Sequence, residues 1–227
     1  MPSTTTPIPR ECKVHSEKET MAEANPNSRL EAFCDGVFAI ALTLLIIDVA
    51  IPSTVKISNT TEFWLALKDI IPSILAFLLS FTVIFITWVN HHACLRLVDK
   101  SSHAFTYANG FLLLTVVMVP FPTSLLGQYL ITDLSAPAVI LYNTVISLQA
   151  LAWILLTGAA LKDKLTKSEQ STSAMRMNNK SGYGAFIVYS ICTITAYWFP
   201  HIIAAVTAVL WLFWLAYGIN IRNPQTD

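Results

Sequence analysis

The chain has 227 residues, 54% of them hydrophobic and 12% charged, with Lys+Arg and Asp+Glu equal at 14 each. A soluble domain carries about 25% charged residues, so this composition excludes an ordinary soluble fold, and a zero net charge gives no reason to expect nucleic acid or an acidic partner. Several nearly charge-free runs of roughly 17 to 25 residues could each cross about 30 Å of hydrocarbon at about 1.5 Å per residue, which makes lipid the expected solvent.

Residues 1–28 are polar, hold Pro2, Pro7, Pro9 and Pro26, and lack the apolar core of a signal peptide. They read as a flexible tail. The first apolar run covers 30–51, with Asn27 and Ser28 as candidate caps and Pro52 as its stop. The second covers 62–90 and contains Pro72, where a kink rather than a break is expected. A third spans 105–126, interrupted near its end by Pro120 and Pro122. The fourth, 136–161, carries Asn143, Ser147, Gln149 and Thr157, uncharged groups expected to hydrogen-bond between helices. The fifth (183–199) and sixth (201–221) are separated only by Pro200 and form a tight helical hairpin. Trp198, Trp211, Trp214 and Tyr217 read as interfacial or lipid-facing aromatics. Cys12, Cys34, Cys94 and Cys192 show no C-x-x-C spacing and read as reduced packing residues. The expectation is an all-α integral membrane protein, with six transmembrane helices over 29–222 and a short tail at 223–227.

The few charges set the direction. Arg10, Lys13, Lys18 and Arg29 precede the first helix, Arg96 and Lys100 follow the second, Lys162, Lys164, Lys167, Arg176 and Lys180 lie between the fourth and fifth, and Arg222 follows the sixth. Only Lys56 and Lys68 fall on the opposite side, so the positive-inside rule places both termini in the cytoplasm. No internal repeat is evident, so a symmetric pathway would need several copies of the chain.

Asp35 lies five residues beyond Leu30, roughly 7 to 8 Å into the first helix, where a carboxylate must face protein or water rather than lipid. At the same level stand Arg29 and Phe33 on its own helix, Trp88, Asn90, His91 and His92 at the end of the second, and Asn109 near the start of the third. They could form a buried polar layer that clasps three helices, or a proton relay through Asp35, His91 and His92. Adjacent histidines point about 100° apart on a helix and cannot easily share one ion, so no metal is expected. No nucleophile–base pair, nucleotide loop or ligand spacing argues for an enzyme.

Arg29-Leu30-Glu31-Ala32-Phe33-Cys34-Asp35-Gly36-Val37-Phe38-Ala39-Ile40-Ala41, with Thr43-Leu44-Leu45 after one residue, resembles the first-helix signature of the transmembrane protein 175 family of potassium channels, R-x-x-x-F-S-D-G-V-F-A-I-A followed by T-L-L. Ser80-Phe81 with Trp88 and His91-His92 is similar to its second-helix pattern, and Pro120-Phe121-x-Thr123-x-Leu125-Leu126 to the end of its third. Cys34 departs from the family serine, and as the weaker hydrogen-bonding group it is expected to hold that contact loosely or not at all.

The resemblance implies a homotetramer of six-helix subunits in a prokaryotic plasma membrane, passing K+ through a pore lined by the first helix, without a cofactor. It implies constriction rings at Ile40, Leu44 and Ile47 and a selectivity role for Thr43. At about 100° per residue those three apolar residues fall within roughly 60° of one another, with Thr43 flanking them and Asp35 about 140° from Ile40. The Thr43 hydroxyl could meet a permeating ion or bond the carbonyl of Ala39. The rival reading is a proton-coupled transporter or proton pathway using Asp35 and His91/His92.

Overall fold

The computed structural model describes residues 27–49 and 57–220. Helix dominates them: α1 (Ser28–Leu44) with a 3-10 turn at Leu45–Asp48, α2 (Thr60–Asp69), α3 (Ile71–Leu95), α4 (His103–Met118), α5 (Pro120–Tyr129), α6 (Ser135–Lys162), α7 (Glu169–Thr195) and α8 (Pro200–Asn220). The expected end of the first helix at 51, the C-terminal tail and all of the N-terminal tail but Asn27 and Ser28 lie outside the described residues. Asn27 stands at the N-cap of α1, yet its side chain does not cap the helix. Its amide donates instead to the Lys100 carbonyl at 3.4 Å.

Pro72 breaks the expected second helix rather than kinking it. α2 stops at Asp69, and Pro72 falls in the first turn of α3, where a missing amide costs nothing because no carbonyl awaits it. Asn59 starts α2 by accepting from the Glu62 amide at 2.9 Å, while the Glu62 carboxylate accepts from the Ser58 amide at 2.6 Å. Pro120 likewise opens α5 directly after α4, but Val119 between them keeps helical torsions, so His103–Tyr129 continues as one span.

Among the described residues four spans, Ser28–Ile47, Ile71–Leu95, His103–Tyr129 and Ser135–Lys162, are long and apolar enough to cross a membrane. The chain is thus a multi-pass membrane protein. α7 begins at Glu169, well before the expected 183. Ser168 caps it by accepting from the Ser171 amide at 3.1 Å, and Met175 and Gly182 pack its polar half against α6. The apolar stretch of α8, Pro200–Ala216, is shorter.

α6 forms the centre, with α4, α5, α7 and α8 around it. Lipid tails are as apolar as leucine, so close packing and interhelical hydrogen bonds must hold such a bundle. The four polar groups of α6 supply those bonds. Asn143 accepts from Thr207 at 3.0 Å, Ser147 meets Ser190 at 3.0 Å, Gln149 donates to Thr87 at 3.0 Å, and Thr157 accepts from Asn179 at 2.8 Å. Ser80 of α3 joins Tyr142 of α6 at 3.1 Å and accepts from Thr123 of α5 at 2.6 Å. At Gly127 a Cβ would fall 2.7 Å from the Ser73 Cα, so only glycine lets α5 approach α3 there.

Trp198 is exposed as an interfacial aromatic should be. Trp211 is not: it is buried, its indole stacked on Tyr189 at 5.7 Å. Its place on α8 turns it toward α7, which position in the sequence alone does not reveal. Tyr217 has no described side chain.

The loops separate by charge. Asn27 reaches Lys100, Lys167 donates to the Leu97 carbonyl at 3.0 Å, Asp99 donates to the Leu165 carbonyl at 3.1 Å, and Ser102 donates to the Asp163 carboxylate. The start of α1, the α3–α4 loop and the α6–α7 loop therefore meet at one end of the bundle. Arg29, Arg96, Lys100, Lys162, Lys164 and Lys167 all lie there.

Candidate functional site

α1 has two unlike sides. Cys34, Phe38, Ala41 and Leu45 are fully buried and pack with Ile84 of α3, Leu113 and Val116 of α4, and Val145 of α6. The opposite side, an arc of about 140° at 100° per residue, carries Ala32, Phe33, Gly36, Ala39, Ile40, Thr43, Leu44 and Ile47, all exposed. Ile40 is 59% exposed and Ile47 72%. A Cβ added to Gly36 would meet nothing within 4 Å. Because residues 45–48 are a 3-10 turn, side chains three apart eclipse there, and Ile47 lines up over Leu44 more closely than an α-helix would place it. The Thr43 hydroxyl donates to the Ile40 carbonyl at 2.9 Å rather than to Ala39.

On the packed flank, α1 and α3 run antiparallel and meet through two pairs spaced one helical turn apart. The Trp88 indole donates to Asp35 Oδ1 at 2.8 Å, and His92 Nδ1 lies 2.8 Å from Glu31 Oε1. Glu31 and Asp35 sit on one face of α1 because they are four apart, as are Trp88 and His92 on α3. Each carboxylate therefore has its own partner on α3, and that of Asp35 is oriented to donate a hydrogen bond. One layer further in, His91 Nε2 meets Asn109 Oδ1 at 2.7 Å, and the Asn109 amide donates to Cys34 Sγ at 3.1 Å. The Phe38 ring packs 5.4 Å from the His91 ring. Cys34 thus accepts a hydrogen bond through its sulfur, and its complete burial leaves Asn109 no competing water there.

Asp35, Trp88, His91, His92 and Asn109 come together as the sequence suggested. Three other residues do not. Asn90 is exposed and turns toward a cavity on the other side of α3, since it is two residues from Trp88 and so about 200° away. Phe33 joins the exposed arc, and Arg29 is exposed beside it. Glu31 and Phe38 were missed. Spacing alone could have signalled Glu31, one turn before Asp35 and opposite the residue one turn after Trp88.

The contacts are separate pairs rather than a wire: Asp35 ends on an indole, His91 on an amide and His92 on Glu31. An indole N–H is a donor only, so it cannot pass a proton on from Asp35. Among the described residues no three His, Cys, Asp or Glu side chains gather as a metal site would require.

Residues 29–120 match the family model described as the endosomal/lysosomal potassium channel TMEM175. The chain is 37% identical over 191 residues to a potassium channel of Chamaesiphon minutus, covering 82% of this chain and 94% of that one. It is 42% identical over 130 residues to a potassium channel of Streptomyces collinus, covering 57% and 62%. The crystal structure of a lysosomal potassium-selective channel TMEM175 homolog from Chamaesiphon minutus superposes with a TM-score of 0.76 at 34% identity, over 85% of this chain and 97% of that one.

Proposed function

The chain belongs to the TMEM175 family of potassium channels, and from that premise we propose that it passes K+ passively across a prokaryotic plasma membrane as a homotetramer. The family is one of ion channels, and no enzymatic role is assigned. In this reading residues 29–222 supply six crossings per subunit, and the exposed arc of α1 lines the pore. Ile40, Leu44 and Ile47 are its constriction rings, and Thr43 is the polar neighbour that assists selection. The reading calls for no cofactor or resident metal.

The observation that carries it is the exposed arc itself. A helix whose other side is closed by buried packing and two rungs of polar pairs still presents four large apolar residues and four small ones to nothing in its own subunit. Small residues at such a face let backbones of neighbouring copies approach closely. Four Ile40 side chains converging there would make a hydrocarbon ring, which can empty of water and block ions without a charged gate. The polar layer of Asp35, Trp88, His91, His92, Asn109 and Glu31 then acts as a clasp that fixes α1 against α3 and α4. The meeting of the basic loops at one end supports a cytoplasmic placement of that end and of both termini.

Purified protein in liposomes should pass single-channel current under a K+ gradient, reversing near the K+ equilibrium potential when Na+ replaces K+ on one side. Flux that appears only when a proton gradient is imposed would favour the transporter reading instead.

A further inference from the structure

A cavity of about 310 Å³ lies away from the clasp, between α3, α6, α7 and α8. That volume is at the lower end of small-molecule pockets. Its walls carry no charged residue; aromatic rings of Trp153, Tyr189 and Trp211 line it together with aliphatic side chains. Asn90 and Ser181 are exposed at its rim, toward the basic end of the bundle. Deeper in, three buried polar atoms of the lining have no hydrogen-bond partner among the described residues: Gln149 Oε1, on a residue 5% exposed, Trp211 Nε1, on one 7% exposed, and the Tyr189 hydroxyl, on one 2% exposed. Gln149 is held in place because its amide nitrogen is committed to Thr87. Trp211 is held by its stack on Tyr189.

Buried donors and acceptors are almost always paired, because an unpaired one forfeits its hydration without replacement. Of these the Gln149 oxygen can only accept, the indole nitrogen can only donate, and the Tyr189 hydroxyl can do either. A ligand hydroxyl complements the first two, since its oxygen accepts from the indole and its hydrogen is donated to the amide oxygen. The flat aromatic wall favours an aromatic or compact apolar body by offset stacking, and the absence of charge in the wall disfavours ions. We infer that this cavity, formed within one subunit and apart from the α1 face, binds a small neutral apolar molecule bearing a hydroxyl, of the phenol class.

The test uses the purified full-length protein in detergent and three probes of one shape: 2-naphthol, 2-methoxynaphthalene, which accepts but cannot donate, and naphthalene. Isothermal titration above the heat of empty micelles should show saturable binding of 2-naphthol, with each of the other two about five-fold weaker or more, the ordinary worth of one hydrogen bond. Trp211→Phe keeps the stacked ring, removes the donor, and should weaken 2-naphthol by a similar factor while leaving naphthalene unchanged. Ala150→Leu fills the cavity and should abolish saturable binding of 2-naphthol. Unsaturable uptake that neither variant alters, or equal affinity for 2-naphthol and naphthalene, would overturn the assignment. So would a Trp211→Phe protein that binds 2-naphthol as tightly as the original.

Discussion

α1 and α6 are both apolar enough to cross a membrane, yet 61% of the apolar stretch of α6 is buried inside the chain and only 22% of that of α1. α6 spends its polar residues on neighbours within the chain, one to each of Thr87, Asn179, Ser190 and Thr207. α1 spends its own on one side and leaves the other bare. Low burial by itself does not mark a pore, because α3 is only 28% buried. The bare surfaces differ in kind: α3 shows Leu75, Leu78, Phe81 and Phe85, bulky groups suited to lipid, whereas α1 interleaves Ala32, Gly36, Ala39 and Thr43 with its large residues. Apolarity shows that a helix belongs in the membrane, and the distribution of small residues separates a surface for lipid from one for another helix or a pathway.

The comparison breaks most easily at the packed side of α1. Phe38→Ala empties a fully buried site and should lower unfolding free energy by about 3–5 kcal/mol, read as a shifted midpoint in a denaturant titration in detergent. Ile40→Ala, on the bare side, should change it by about 0.5 kcal/mol or less. Equal losses would mean that the two sides are not distinct. Asp35→Ala leaves the Trp88 N–H without an acceptor, costs about 1–3 kcal/mol, and should reduce the assembled oligomer on size-exclusion chromatography. Asp35→Asn retains a carbonyl oxygen and should recover most of it. An Asp35→Ala protein that assembles normally but does not conduct would return weight to a relay. On α6, Thr207→Val strips Asn143 of its interhelical donor and should cost about 0.6–1.7 kcal/mol, the usual range for such bonds in membranes. The smallest effect on stability is expected at Thr43→Val, about 0.5 kcal/mol or less, with its readout elsewhere: a lower K+ to Na+ permeability ratio under bi-ionic conditions. An unchanged reversal potential would remove Thr43 from selection.

The polar layer was legible because its members share a depth in the membrane, and depth follows from counting residues along a helix. Asp35, Trp88, His91 and Asn109 satisfy that count and meet. Rotation is harder to count across helices, which is why Asn90 was placed on the wrong side of α3 and Trp211 was read as lipid-facing. Pro72 misled because proline is compatible with both a kinked helix and the first turn of a new one; the choice was decided by Asn59 and Glu62 closing a short α2 before it. The polar start of α7 carries no apolar signal and became helical through Met175, Asn179 and Gly182 packing on α6. The cavity could not be read at all, since it depends on four helices failing to fill the space between them.

The pore assignment is tested most directly by paired currents from the original protein and from Ile40→Asn and Ile40→Ala, at matched protein amount in liposomes, with K+ and then Na+ as the only permeant cation. Asn at this position offers hydrogen bonds to water, so in the proposed tetramer a ring of four should stay wet. Ile40→Asn should therefore conduct more than the original and discriminate less between the two ions, because an ion can pass while keeping more of its hydration shell. Ile40→Ala widens the ring and should shift current or discrimination in the same direction. If both variants match the original in current and in selectivity, Ile40 faces lipid or the bundle, and the bare side of α1 is not the wall of the pore.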